Sequence, residues 1–117
     1  MVIHFHSGPA PHPEYFGRDW PVEDNSDQLP GAMGAYVSEV MWWLYRPLTF
    51  MIWGGVFERF PRLKTMIVEG GTLFMLPPWL RLLDHNYEDV QFSAKLGDFR
   101  SHLSMSPSEY FQRNCGI

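Results

Sequence analysis

The sequence predicts an α/β fold in which parallel strands are joined by crossover helices. Strand-like and helix-like segments alternate along the chain, which is typical of a parallel sheet. Residues 65–68 form a β-rich apolar run, as expected of a strand buried on both faces, and Glu69 follows at its carboxyl end. That is where α/β barrels present functional side chains. The 117 residues fall well short of the ~250 of a complete barrel. We therefore predict one incomplete domain, a partial (β/α)8 TIM barrel spanning residues 1–117.

The first predicted strand covers residues 2–6. Side chains alternate between the two faces of a strand, so His4 and His6 share one face, and Ile3 and Phe5 share the other. Residues 8–31 then contain five prolines and three glycines without any period. They predict a long loop.

A helical pattern starts at Gly34, where apolar residues recur at spacings of three and four up to residue 57. Pro47 is expected to kink this helix or to split it in two. After the strand at residues 65–68, the pair Pro77-Pro78 opens a second helix. Residues 89–104 have only a weak pattern.

The last predicted helix covers residues 107–113. Ser106 and Glu109 have the spacing of a capping box, and Pro107 suits the first helical position. The final residues, 114–117, are expected to begin another strand.

Composition excludes some classes of protein. The net charge is −4 without a basic stripe, which argues against a nucleic-acid partner. Cys115 is the only cysteine, so the sequence predicts a reducing, cytoplasmic compartment. Residues 40–57 approach the length of a membrane-spanning helix. Arg46 and Pro47 interrupt them, so we favour a core-facing helix over a membrane-attached one.

Five segments resemble a known family. They are HSG at residues 6–8, GGVFERFPRLK at 54–64, EGG at 69–71, WLRLLD at 79–84 and SPSEYFQRNC at 106–115. The chain is similar over nearly its whole length to the amidohydrolase-related (amidohydrolase family 2) metal-dependent barrels, which include hydrolases and non-oxidative decarboxylases. The resemblance implies that the chain covers the fifth and sixth barrel strands with their helices and ends as the seventh strand starts.

The resemblance also implies a site. In that family a divalent metal, zinc or manganese, is held by a His-x-His pair on the first strand, a histidine on the fifth and an aspartate on the eighth. His6 matches the fifth-strand histidine. Glu69 stands where many members have a histidine near the metal. The first and eighth strands are missing here, so the resemblance implies an incomplete metal site, and this chain need not bind a metal.

Each candidate site residue has a simpler alternative. His6 is a metal ligand or a histidine that caps a strand end in solvent. His4 faces the same side and is either a second ligand or a partly buried, hydrogen-bonded histidine. Glu69, the catalytic candidate, is a metal ligand, a general base, the partner of a buried arginine, or an ion-paired carboxylate at a strand end. A solvated turn is expected to contain Glu58, Arg59, Arg62 and Lys64. Asp84 is expected to pair with Arg81.

The sequence thus predicts part of an enzyme that hydrolyses or decarboxylates a small carboxylic or aromatic substrate, and that is inactive on its own. The alternative is a non-catalytic, truncated product that associates with itself. A chain of this size buries only about two-thirds of its unfolded surface. With 45% hydrophobic residues, it is expected to leave apolar surface on the helix at residues 34–57 that would form such an interface.

Overall fold

The computed structural model describes residues 1–7, 30–71 and 74–117. Their elements, in chain order, are β1 (Val2–His6), α1 (Pro30–Trp53), α2 (Val56–Arg59), β2 (Lys64–Val68), α3 (Leu76–Glu88), α4 (Val90–Leu96), α5 (Pro107–Asn114) and β3 (Cys115–Gly116). The loop predicted at residues 8–31 lies outside the described residues as far as residue 29. Its last two residues belong to α1, which starts at a proline as helices often do.

The strands form a small parallel sheet in the order β1-β2-β3. Val2 lies opposite Lys64 and His6 opposite Val68, while Thr65 pairs with Cys115. Helices connect each strand to the next. The predicted α/β class, with parallel strands and crossover helices, is therefore confirmed, including the strand at the end of the chain.

Only one face of the sheet lies against the core. Thr65 and Ile67 are 1% and 3% exposed, whereas Met66 and Val68 on the opposite face are half-buried. Parallel pairing places paired residues on the same face, so the half-buried face also contains His4 and His6 of β1. The prediction that β2 is buried on both faces is wrong, because the core lies on one side of the sheet.

Helix α1 supplies much of that core. Leu44, Tyr45, Leu48 and Ile52 are all less than 4% exposed. The helix continues through Pro47, so the predicted split does not occur. It ends at Trp53, and the turn that follows uses the left-handed backbone of Gly55 (φ 67°).

The segment at residues 54–64 is held in place by α5. Asn114 is 1% exposed, and its amide donates to the carbonyl oxygens of Leu63 (2.7 Å) and Pro61 (3.2 Å). The Arg113 guanidinium donates to the carbonyl oxygen of Phe57 at 2.6 Å. The segment at residues 54–64 therefore packs against the carboxyl-terminal helix, and these contacts stabilise the fold at a distance from the strands' carboxyl ends.

The prediction that Glu58 lies in a solvated turn is wrong. Its carboxylate accepts hydrogen bonds from the buried Tyr110 hydroxyl and from the Ser104 hydroxyl (2.9 Å). These bonds lower the pKa of Glu58, with the bond from Tyr110 the larger cause. Burial and the same bond raise the pKa of Tyr110. Glu58 therefore connects α2 to α5.

Asp84 also has a different partner from the one predicted. Its carboxylate accepts a hydrogen bond at 2.9 Å from the backbone N–H of Ser108, in the first turn of α5. The backbone N–H groups in the first turn of a helix have no partner within the helix, and a carboxylate is a good acceptor for them. The predicted capping box is present, since Glu109 accepts from the backbone N–H of Ser106 at 2.8 Å.

Helix α4 was not predicted. Asp89 caps it by accepting a hydrogen bond from the backbone N–H of Gln91. In the part of the chain described here, no helix is long and apolar enough to span a membrane.

Candidate functional site

Three polar side chains meet at the carboxyl ends of β1 and β2. Nε2 of His6 lies 3.5 Å from a carboxylate oxygen of Glu69. The Ser7 hydroxyl donates to the same oxygen at 3.3 Å. The sequence predicts that Glu69 emerges beside the first histidine strand, and the structure brings the two residues together as expected.

The parallel pairing explains this meeting. His6 lies opposite Val68 in the ladder, and the backbone N–H of Ser7 continues the ladder by donating to the Val68 carbonyl at 3.2 Å. The residues that follow the two strands therefore leave the sheet side by side. A one-residue slip in register would separate them, because it would move each side chain of the slipped strand to the other face.

Glu69 adopts a backbone conformation that glutamate rarely does. Its φ is 57°, in the left-handed region, where it is alone among the described non-glycine residues. Such a conformation costs ~1–2 kcal/mol for a residue with a Cβ atom. Glycine would avoid that cost, and the next two residues are glycines. Strain of this kind at a strand end is often found at functional sites.

A buried tyrosine fixes the turn that follows Glu69. The Tyr45 hydroxyl donates to the Gly70 carbonyl at 2.6 Å, and Tyr45 is 1% exposed. Burial raises the pKa of this hydroxyl, so it stays a protonated donor. Helix α1 thus holds the strained turn from the core side of the sheet.

The hydrogen bonds of His6 determine what its free nitrogen can do. Nδ1 lies within hydrogen-bonding distance of the Ser7 carbonyl oxygen, which only accepts, so Nδ1 must carry the proton. In the neutral ring, Nε2 then presents a lone pair toward the Glu69 carboxylate. Two acceptors that face each other in solvent can be bridged by a water molecule that donates to both, or by a metal ion. The pair is therefore a candidate for holding a cation.

The geometry suits a metal ligand pair. Nitrogen and oxygen ligands at about 2.1 Å from a tetrahedral zinc ion lie roughly 3.4 Å apart, close to the observed 3.5 Å. Metal-binding histidines usually donate their second ring N–H to a carbonyl or a carboxylate, as His6 does to Ser7. Both side chains are accessible, at 59% exposed for His6 and 68% for Glu69.

The structure distinguishes between the alternative partners predicted for Glu69. Its partners are His6 and Ser7, so the hypothesis of a buried arginine partner is wrong for the described residues. An ion pair this exposed contributes only ~0–1 kcal/mol to stability. Stability alone therefore gives little reason to place a strained, charged residue here.

His4 stays apart from this pair. It is exposed on the same face of β1, so the predicted alternation is confirmed, and the partly buried alternative for His4 is wrong. No group of three or more His, Cys, Asp or Glu side chains among the described residues is close enough to hold a metal ion. His6 and Glu69 thus form a pair that His4 does not join.

Other titratable residues have structural partners. His102 Nε2 lies 2.8 Å from the Trp53 carbonyl oxygen, at the end of α1. Burial raises the pKa of Cys115, whose sulfur accepts from Thr65 at 2.9 Å, so the thiol is a weak nucleophile. His12 lies outside the described residues.

Sequence analysis missed Ser7 and Tyr45 as contributors to the site. Ser7 adjoins His6, so its proximity to Glu69 follows from the predicted register. The contact between Tyr45 and Gly70 spans 25 positions, and no local pattern signals it.

Comparison with known proteins adds no relative to this picture. No protein-family model matches the chain, no curated protein does, and no solved structure resembles it significantly.

Proposed function

We propose that this chain is a segment of a metal-dependent, amidohydrolase-like (β/α)8 barrel. The parent enzyme would hydrolyse or decarboxylate, without oxidation, a small carboxylic or aromatic substrate. His6 would be a metal ligand, and Glu69 would be a second ligand or the group that moves a proton. The main support is the juxtaposition of His6 and Glu69 at the carboxyl ends of neighbouring parallel strands.

The three-stranded sheet supports the barrel. Its strands lie in sequence order, all parallel, with helices on one face. A barrel has this order throughout, and its inner face is filled by side chains from the other strands. The half-buried face with Met66 and Val68 would be that inner face, and the edge of β1 would pair with a preceding strand.

The donor set fits part of a divalent metal site. An imidazole nitrogen and a carboxylate oxygen are ligands that zinc and manganese accept. A bound divalent metal would polarise a substrate oxygen or generate hydroxide from water at neutral pH. The Ser7 carbonyl would keep the His6 ring oriented, and the Ser7 hydroxyl would orient the Glu69 carboxylate.

Glu69 has two roles open to it. As a ligand, it would use the oxygen that now faces His6. As a proton carrier, it would exchange a proton with substrate or water from the rim of the barrel, where its exposure gives access. The two roles differ in one respect: only a ligand is needed for metal binding in the absence of substrate.

Two donors are fewer than the three protein ligands typical of catalytic zinc. The isolated chain is therefore expected to bind metal weakly and to have no turnover. The remaining ligands would come from strands of the parent barrel. Coding DNA on either side of this gene tests this directly: a strand ending in His-x-His upstream and one ending in aspartate downstream would support the proposal, and unrelated intact genes would contradict it.

The protein-level experiment is a titration of the 117-residue chain with Co²⁺ followed by visible absorption, and with Zn²⁺ by competition against a chromophoric chelator. We expect binding at one site per chain, and its loss in His6→Ala. His85→Ala is the matched control, because His85 is exposed at the end of α3. Equal metal binding by wild type and His6→Ala would contradict the assignment of His6.

A further inference from the structure

The outward face of α1 is unusual because it is aromatic. The opposite face of α1 supplies Leu44, Leu48 and Ile52 to the core. When one face of a helix covers a core in this way, the outward face is ordinarily polar. Instead a groove of about 430 Å³ runs along the outside, lined by Glu39, Trp42, Trp43, Arg46, Thr49, Phe50 and Trp53. We call these residues the α1 stripe. They recur at spacings of three and four, which defines one continuous face.

The aromatic part of the α1 stripe is open. Trp42 is 50% exposed and Phe50 is 68% exposed. The Arg46 guanidinium lies over the rings of Trp43 (5.2 Å) and Phe50 (5.9 Å). Tryptophan and arginine are the residues most enriched at the energetic centres of protein interfaces.

The order of residues along α1 makes this face complementary to itself. Glu39 and Arg46 are seven residues apart, or two helical turns and about 10.5 Å. If two copies of α1 lie antiparallel about an axis between Trp42 and Trp43, Glu39 of each copy meets the partner's Arg46. The two tryptophan pairs then meet at the centre.

The same axis matches small residues with large ones. It places Phe50 opposite the partner's Ala35, and Trp53 opposite the partner's Ala32. Ala35 is exposed and Ala32 half-buried. The amino-terminal half of the face is small and acidic, while the carboxyl-terminal half is aromatic and basic. An antiparallel arrangement places the amino-terminal half of this face in one copy against the carboxyl-terminal half in the other copy.

We propose that α1 mediates a two-fold symmetric homodimer, in which the α1 stripe of one copy packs antiparallel against that of a second copy. Such an interface is isologous, so each favourable contact occurs twice. The four aromatic side chains would contribute on the order of 300 Å² from each copy, since they are already partly buried. With flanking residues this lies toward the small end of specific interfaces, so the dimer is expected at micromolar concentration.

The test is sedimentation equilibrium of the 117-residue chain at increasing concentration, with charge-reversal variants. Glu39→Arg and Arg46→Glu each replace two attractive contacts with two repulsive ones, and should weaken the dimer at least about tenfold. The double variant restores both contacts and should return to within about threefold of wild type. Arg81→Glu is the matched control, because it makes the same charge change on the exposed side of α3.

An uncharged pair of variants tests the packing separately. Ala35→Phe should weaken the dimer by crowding the partner's Phe50, and Ala35→Phe with Phe50→Ala should restore it. Far-ultraviolet circular dichroism checks that each variant is folded. A chain that is monomeric up to about 100 µM would overturn the proposal. Double variants that dimerise as weakly as the single variants would overturn it too. So would aggregates larger than a dimer whose formation is unchanged by the charge reversals.

Discussion

Asn114→Ala tests how helix α5 and the segment at residues 54–64 hold the fold together. The side chain is 1% exposed and donates to the Leu63 and Pro61 carbonyls. Each lost hydrogen bond costs about 1 kcal/mol, or up to ~3 kcal/mol where the carbonyl oxygen is left without another donor. Some of that cost is recovered because alanine favours the helix. We expect a loss of roughly 2–4 kcal/mol in the free energy of unfolding.

A loss of that size is a large share of the chain's total free energy of unfolding. A 117-residue domain has an unfolding free energy of roughly 6–17 kcal/mol. The assay is urea unfolding followed by circular dichroism, at a concentration where the wild type is monomeric. Gln112→Ala is the matched control, because it lies two residues away on the exposed side of α5. A loss below about 0.5 kcal/mol in Asn114→Ala, or one equal to the control, would refute the reasoning.

Three further predictions follow from individual contacts. The pKa of Glu58 is lowered in the fold, so its contribution is present above its ordinary pKa and is lost as pH falls through the lowered value; Glu58→Gln should flatten the acid side of a stability-versus-pH curve, and an unchanged curve would contradict the bond to Tyr110. At the left-handed position of Glu69, glycine should be more stable than alanine by about 1 kcal/mol in urea unfolding, and the reverse order would argue against that backbone conformation. Tyr45→Phe removes the bond to Gly70 and should cost ~1–2 kcal/mol with weaker metal binding; full stability and affinity would show that the turn holds without it.

Local sequence patterns predicted the elements that depend on local chemistry. Alternation in β1 placed His4 and His6 on one face, and the Ser106 capping box located the start of α5. The neighbouring positions of His6 and Glu69 followed from one general property, that parallel strands end at the same edge.

Contacts between distant residues were beyond such reasoning. The neighbours of Glu58 in sequence are typical of a charged turn, and only the fold brings the Tyr110 hydroxyl to it from 52 positions away. Helix α4 was missed because it is only seven residues long and its cap, Asp89, follows directly on α3. The burial of β2 was overestimated because residue type alone does not reveal how many layers cover a sheet.

The measurement that tests the account most directly is a double-mutant cycle on zinc affinity at residues 6 and 69. His6→Ala and Glu69→Gln should each weaken binding by at least about tenfold, and the double variant should be little weaker than either single, because the two donors hold one ion. Additive losses would contradict a shared cation site. A Glu69→Gln variant that binds zinc as the wild type does would contradict it too, and would leave Glu69 only the role of a proton carrier.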